Sequence, residues 1–405
     1  MRFRRQVARD RGSMDPLQKN LTAHLKDQEE MMGNVLKRLV LIQSGTRNKA
    51  GVDRVCREIY DLFEPLSLDR RILPQETYGD LLVVSVPSNE DRRRILLAGH
   101  MDTIFPADTA FCGWREDESY FYGPGVIDMK GGLVVGIFAL KALATLRLLE
   151  NLPITWIFNS EEEVGSPISR PLFVTEAKRS AMAFVLEAGG MKGQIVTGRK
   201  GHLVLKLSAR GRAGHAAQVV EGKKSAILDL AHVIIELEGL NGRFPGVSVN
   251  IGQTAGGIVP NSVPEEAWAA VDVRSPTTEG FAFFRSCLND LLKWRQVEGM
   301  DLRADVVEHV PIMEATERNK ALFNVIAGEA SRLGIPVVEQ FRAGASDANT
   351  IAEAGTPVVD GLGPVGKHDH SDREYLVRES LHTRSALLAL SLLSAWRQYE
   401  AGSLF

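Results

Sequence analysis

Arg94-Ile95-Leu96-Leu97-Ala98-Gly99 runs without a break into His100-Met101-Asp102, and this stretch decides the fold. A short continuous apolar run reads as a strand buried on both faces, the kind found in parallel sheets covered by helices. Two more runs have the same character: Pro153–Asn159 (PITWIFN) and Ala181–Leu186 (AMAFVL). An Ala- and Leu-rich stretch, Gly131–Leu146, predicts a helix between the first two. Strands alternating with helices imply an α/β architecture around a parallel-rich sheet. Upstream, apolar residues at three- and four-residue spacing make Asp15–Phe63 helical, and Asp80–Val86 reads as a strand.

The pattern changes near residue 198. His202–Ala209 (HLVLKLSA) alternates apolar and polar residues as a half-buried strand does. Ser225–Leu237 and Gly280–Gln296 read as helices, and Val247–Gly252, Glu266–Arg274 and Leu302–His309 as strands. The order strand-helix-strand-strand-helix-strand is the split βαβ arrangement, an α+β unit. After Pro311 the first style returns, with helices at Asn319–Leu333, Asp347–Ala354 and Arg378–Trp396 and strands at Val337–Gln340 and Pro357–Gly361. The second domain, 199–309, is therefore expected to be inserted in a first formed by 14–198 and 310–405. Residues 1–13, with five arginines but no apolar stretch behind them, are set apart as an N-terminal extension expected to be disordered, and Met14 is an equally good start.

Composition narrows the function. Lys plus Arg (48) nearly balances Asp plus Glu (51), a net charge of −3, without the basic excess of a nucleic-acid binder. No run approaches the 18 apolar residues that a membrane helix needs. Three cysteines lack both zinc-motif spacing and a disulfide framework, so a reducing, cytoplasmic setting is expected. There is no Gly-x-Ser-x-Gly elbow of a serine hydrolase.

The chemistry gathers at strand ends. In open parallel sheets, sites form outside the carboxyl ends of the strands. The first run ends in His100 and Asp102, which share a face because they are two apart. PITWIFN ends in Ser160-Glu161-Glu162-Glu163, AMAFVL in Glu187, and the run near Pro357 leads on to His368-Asp369-His370. Asp128 lies just before the Gly131 helix, where taken alone it reads as an N-cap. A charge run is ordinarily a solvated face, but three carboxylates at a ligand-gathering edge repel one another unless cations sit among them. His and carboxylate donors without cysteine suit Zn²⁺, with Mn²⁺ or Co²⁺ as alternatives. Five donors exceed what one catalytic zinc with an open position takes, so two metals ~3.5–4 Å apart and sharing a carboxylate fit better, leaving one carboxylate as general base.

The motifs GHMDTIFP, GPGVIDMKGG, NSEEEVGS, VLEAGG, GRAGHAA, IVPNSVPEEAWAAVDVR, GASDAN and GPVGKHDHS together resemble a di-zinc metallopeptidase family, that of glutamate carboxypeptidase, acetylornithine deacetylase, succinyl-diaminopimelate desuccinylase and aminoacylase. The resemblance runs from Met14 to Trp396 and is strongest to the glutamate carboxypeptidase-like branch, through Arg199–Gly201 and Thr356–Gly366. It implies that His100, Asp128 and Glu187 hold one zinc and Asp128, Glu163 and His370 the other, with Asp128 bridging. Glu162 would be the general base and Asp102 would orient His100. A cis peptide would fall at Asp128–Met129. The inserted ferredoxin-like unit would be a lid that also makes a homodimer. Within it, His215 would stabilise the oxyanion, and Asn261 and Arg274 would hold the substrate carboxylate. Three departures stand out: Val310 where relatives often carry Arg, Ala345 where Gly is common, and His368 as a further candidate ligand or supporting group.

The expected activity is metal-dependent hydrolysis of an amide beside a free α-carboxylate, in a small peptide or N-acyl amino acid. Carboxypeptidase action comes first and N-acyl-amino-acid deacylation second. A non-catalytic carboxylate-binding protein is the alternative from another class, but it predicts missing ligands or a missing base, and every position is filled.

Overall fold

The computed structural model describes residues 14–89, 92–217, 222–293 and 299–405; the extension 1–13 and the end of the helix expected at Gly280–Gln296 lie outside them. The chain opens with three helices, α1 Pro16–Asp27, α2 Glu29–Leu41 and α3 Lys49–Leu62, within the stretch read as helical. Asp15 starts α1 in a capping box with Gln18, and Pro16 occupies the first turn, where its missing N–H costs nothing. Strands β1 Asp69–Leu73, β2 Leu81–Ser85, β3 Arg94–His100, β4 Arg115–Glu116 and β5 Tyr120–Tyr122 precede helix α4 Gly131–Thr145. Then come β6 Ile154–Asn159, α5 Arg170–Lys178, β7 Ser180–Val185 and β8 Gln194–Arg199. The next stretch holds β9 Gly201–Arg210, β10 Gly214–His215, α6 Ala226–Glu238, β11 Ser248–Gly256, β12 Ser262–Val263, β13 Glu266–Ser275, α7 Thr278–Lys293 and β14 Asp301–Val310. The chain closes with α8 Glu317–Leu333, β15 Val338–Arg342, α9 Asp347–Glu353, β16 Val358–Val359, β17 Gly366–Lys367, β18 Tyr375–Val377 and α10 Ser380–Glu400.

Two compact units result: 199–314 with 342–345, and the remainder. In the larger unit six strands form a sheet in the order β1-β2-β6-β3-β7-β16. β6-β3, β3-β7 and β7-β16 are parallel, while β1 and β2 form an antiparallel edge. Every residue of β6 and β7 is buried, as their unbroken apolar runs predict. Helix α4 is apolar on all sides because it is covered on all sides: twelve of its residues are buried, and α10 packs along it. The parallel strands all point their carboxyl ends to one edge, so the residues that follow β3, β6 and β7 emerge together.

The smaller unit is built on a four-stranded antiparallel sheet, β11-β13-β9-β14, with α6, α7 and the short β10-β12 ladder. Its chain order, βαββαβ, is the ferredoxin-like one. Alternate residues of β9 and β13 are buried, feeding a separate core around Leu205, Leu207, Val271 and Phe284.

The structure differs from the sequence reading in several elements. The strand expected over Pro357–Gly361 is only Val358–Val359, because Asp360 leaves the sheet to bridge Val196 and Gly361 takes φ 80°. β11 continues past Gly252 to Gly256 through an irregularity between Ile251 and Gln253. α10 runs to Glu400, four residues beyond Trp396. β8 and α5 were not expected, nor was the small sheet β17-β18-β5-β4.

Candidate metal centre

His100 is the last residue of β3 and is 1% exposed. Its Nδ1 lies 3.0 Å from the Asp102 carbonyl and 3.3 Å from Asp102 Oδ1, which directs Nε2 the other way. There Nε2 is 3.1 Å from Asp128 Oδ1 and 3.6 Å from Glu187 Oε1. Asp102 is fully buried and does more than turn the ring. Its carboxylate also accepts from Thr46 Oγ1 at 2.7 Å and from the backbone N–H groups of Glu162 (3.2 Å) and Glu163 (3.3 Å).

Asp128 is not the N-cap that its place before a helix suggests. α4 starts at Gly131 with Lys130 in the cap position, and the Asp128–Met129 peptide bond is cis. The carboxylate faces two histidines instead: Oδ2 is 3.0 Å from His370 Nε2. His370 also reaches Glu163 Oε2 at 3.2 Å, from a residue in the left-handed region (φ 59°) that histidine tolerates better than most. Two groups of donors thus form, His100–Asp128–Glu187 and Asp128–Glu163–His370, each with its donor atoms within 4.8 Å of one another and with Asp128 common to both. His368 joins neither among the described residues; its ring packs edge-on against Tyr375.

The electrostatics are those of a crowded acidic pocket. Burial works against a charged His100, but hydrogen bonds to Asp102 and Asp128 and the charge of Glu187 prevail and hold it well above its ordinary value. His370 is pushed up to about 11 by its hydrogen bonds to Asp128 and Glu163. Burial tends to raise Asp128, yet the two histidines hold its carboxyl below the usual carboxylate range. Glu162 keeps partial solvent contact, but the protein around it desolvates its carboxyl and holds it well above the ordinary value; the charges of Glu187 and Asp347 add to the rise while His100 opposes it. Glu163 is raised too, by burial above all, and its Oε1 is a buried oxygen with no hydrogen-bond partner. An orphaned carboxylate oxygen amid nitrogen and oxygen donors fits divalent cations.

Three buried acids support the site without belonging to either group. Glu161 accepts from Ser160 N (3.0 Å) and Oγ (2.9 Å), Ile168 N (3.2 Å) and Ser169 N (2.6 Å). Asp347 accepts from Ser166 Oγ at 2.5 Å and Asn159 Nδ2 at 2.9 Å, and burial pushes it up to about 7. Glu374 accepts from three backbone N–H groups, those of Gly125, Ile127 and Asp128. Sequence reasoning missed all three. Asp347 lies in the GASDAN motif, which marks no single residue, and Glu161 belongs to a run of like residues that carries no sign of their separate roles.

The other expected residues lie in the smaller unit. His215 and Asn261 are exposed neighbours there: His215 pairs with Ser262 in the β10–β12 ladder, and Ala216 N donates to the Asn261 carbonyl at 3.0 Å. Arg274 stands on β13, its Nε 3.2 Å from Asp272 Oδ1, and the same carboxylate takes His202 Nε2 at 2.7 Å. Val310 ends β14 opposite His202, and Ala345 lends its backbone carbonyl to Arg199 Nη1 at 3.4 Å.

The family model for peptidase family M20/M25/M40 matches residues 96–394. This chain belongs to that family. It is an M20-family metallohydrolase. Carboxypeptidase G2 of Pseudomonas sp. (strain RS-16) is 27% identical over 374 residues, spanning 91% of this chain and 89% of that protein. A succinyl-diaminopimelate desuccinylase of Helicobacter hepaticus is 26% identical over 353 residues, or 81% of this chain and 88% of that protein. Among solved structures, a dinuclear metal-binding peptidase of the M20 family from Bacillus subtilis superposes with a TM-score of 0.68 at 16% identity, covering 91% of this chain and 98% of that one. That likeness is one of fold. Among the described residues of this M20 chain, no helix is long and apolar enough to cross a membrane.

Proposed function

We propose that this M20 chain is a carboxypeptidase-like hydrolase with two divalent cations, cleaving an amide beside a free α-carboxylate. The observation that carries the reading is Asp128, whose two carboxylate oxygens each face a different histidine, so that one residue serves both donor groups. His100, Asp128 and Glu187 would hold one ion, and Asp128, Glu163 and His370 the other. Zn²⁺ is the first choice for these donors, with Co²⁺ and Mn²⁺ as alternatives. Bound there, the ions would polarise the amide carbonyl and lower the pKa of an attacking water towards ~7.

The remaining steps belong to side chains. Glu162, next to the donor Glu163 and desolvated by its surroundings, takes the proton of the water on its carboxylate and delivers it to the leaving nitrogen. Asp102 keeps Nε2 of His100 turned towards Asp128 and pins the backbone of Glu162 and Glu163, so base and donors stay in register. For the smaller unit we propose the substrate roles that the family resemblance gives it. His215 donates to the oxyanion, and Asn261 and Arg274 hold the substrate carboxylate, the latter by paired N–H bonds. The unit is proposed to act as a lid and to pair two copies of the chain. Free Cys56, Cys112 and Cys287 are consistent with a cytoplasmic location.

The preferred substrate is a small peptide or N-acyl amino acid ending in a glutamate-like residue. The similarity to a desuccinylase over most of the chain supports N-acyl-amino-acid deacylation as the second reading. A panel of dipeptides, N-acyl glutamates and N-acyl diamino acids, run with enzyme loaded with Zn²⁺, Co²⁺ or Mn²⁺, decides between them. Highest kcat/KM on substrates with C-terminal glutamate supports the first reading; highest on N-succinyl or N-acetyl diamino acids supports the second. No hydrolysis of any amide with two ions bound sinks both.

A further inference from the structure

Glu374 is 1% exposed, and no part of the metal chemistry described above uses it. Its Oε1 accepts from the backbone N–H of Ile127 at 2.8 Å and of Asp128 at 3.0 Å, and its Oε2 from that of Gly125 at 3.0 Å. A buried carboxylate is costly unless hydrogen bonds satisfy it, and here three donors from four consecutive residues do so. The loop they belong to cannot relax freely around another side chain. Gly125 holds φ 73°, and a Cβ on it would meet Thr103 Cγ2 at 2.6 Å. The same residue is tied to the second histidine. His370 lies four residues upstream, immediately before a turn closed by Glu374 N donating to the Ser371 carbonyl at 3.2 Å. Immediately downstream β18 pairs with β5, whose Tyr122 lies just before the glycine loop.

We propose that Glu374 is the positioning residue of the metal centre: by gripping the backbone of Gly125, Ile127 and Asp128 from the segment that carries His370, it sets the distance between the shared carboxylate and the second histidine. The proposal rests on the di-metal reading above. It makes a distinction that a general packing role does not. Asp128 belongs to both donor groups, so loosening it weakens both ions. Glu161 grips the loop of residues 160–169, which carries Glu163 of one group only, so loosening that loop weakens one ion.

The test uses full-length protein stripped of metal and titrated with Co²⁺ at pH 7, followed by calorimetry and by visible absorption. Wild type is expected to take up two ions. Glu374→Gln keeps the size of the side chain and one acceptor oxygen but turns an amide NH₂ towards a backbone donor. It should weaken both ions by about 10–100-fold, the range found when groups supporting metal ligands are lost, and Glu374→Ala should weaken them further. Glu161→Gln should weaken one ion and spare the other. Circular dichroism keeps the comparison to folded protein, where a merely structural glutamate would lower Tm and leave Co²⁺ affinity unchanged. Two ions bound with wild-type affinity in folded Glu374→Gln and Glu374→Ala overturn the proposal alone, as does a failure of both variants to fold. Wild type that takes up no Co²⁺ overturns the di-metal reading, and this proposal with it.

Discussion

Three adjacent glutamates, Glu161, Glu162 and Glu163, are chemically identical and do three different things because their surroundings differ. Glu161 accepts four hydrogen bonds from its own loop; Glu163 pairs with His370; the carboxyl of Glu162 is desolvated and raised. Glu162→Gln therefore leaves both donor groups complete while removing the proposed proton carrier. Metal analysis of the variant should find the wild-type two ions, with turnover lower by about 10²–10⁴-fold, the usual contribution of a general base. Near-normal turnover would move the base elsewhere, and loss of an ion would make Glu162 a ligand. The sequence alone could not separate the three: a run of like residues at a strand end marks a place, not a division of labour. Only the resemblance to a family singled out Glu162 and Glu163. Glu374 was invisible for a different reason. Its partners are backbone N–H groups of residues about 250 positions upstream, which leave no trace in side-chain spacing.

At the scale of elements, the buried strands and apolar helices were legible because their patterns are set by burial. β3, β6, β7 and α4 are largely apolar since both faces or nearly all sides are covered, and β9 alternates since one face is. What escaped were short or mixed segments such as β1 (Asp69–Leu73), whose Arg-rich sequence reflects an exposed edge, and the two- and three-residue strands around β18. The contact between α4 and the residue that follows β7 shows how an element positions a proposed ligand. A Cβ on Gly132 would stand 2.0 Å from the carbonyl oxygen of Leu186, the residue before Glu187. That carbonyl is backbone and has no side-chain freedom with which to retreat. Gly132→Ala should cost about 1–3 kcal/mol, as overpacking does, and should also lower affinity for the ion assigned to Glu187. Gly328 in α8 makes the opposite case, with nothing within 4 Å of the added methyl. Gly328→Ala should raise stability by about 0.4–1 kcal/mol through the unfolded chain and leave metal uptake untouched. Chemical denaturation and a metal titration on each variant check both expectations. A Gly132→Ala protein as stable as wild type would mean that α4 is free to slide away from Leu186.

For the whole molecule, the near-neutral composition hid how unevenly charge is distributed, because the acids that matter are buried in one unit. Removing the metals exposes that imbalance to pH. Asp347 is pushed up to about 7 and Glu374 to about 8, in both cases by burial, and Glu162 and Glu163 are raised by the same cause. Each binds its proton more tightly folded than unfolded. Its contribution is therefore complete below the ordinary carboxylate value, near 4, and is lost as pH rises through the folded value. The histidines act in the same direction. His100 and His370 are raised by their carboxylate partners, so what they contribute is whole below about 6.5 and declines as pH climbs above it. Lys130, lowered to about 7 by burial, works the other way, but only between about 7 and its ordinary value of 10.5. Between pH 5 and 7 the raised acids therefore pull stability down together, and His382, which burial holds below its ordinary 6.5, offsets only one group's share of that fall. Chelated protein should melt at its highest temperature near pH 5 and several degrees lower at pH 7, measured by calorimetry at constant ionic strength. Metal-loaded protein should show the opposite slope, because cations bind the deprotonated ligands and stabilise the fold more strongly as protons leave. The two curves should diverge with rising pH, and the Asp347→Asn variant should flatten the chelated one. Parallel curves would mean that the buried acids are not ionising in the metal-free protein, and that their crowding is relieved by something other than divalent cations.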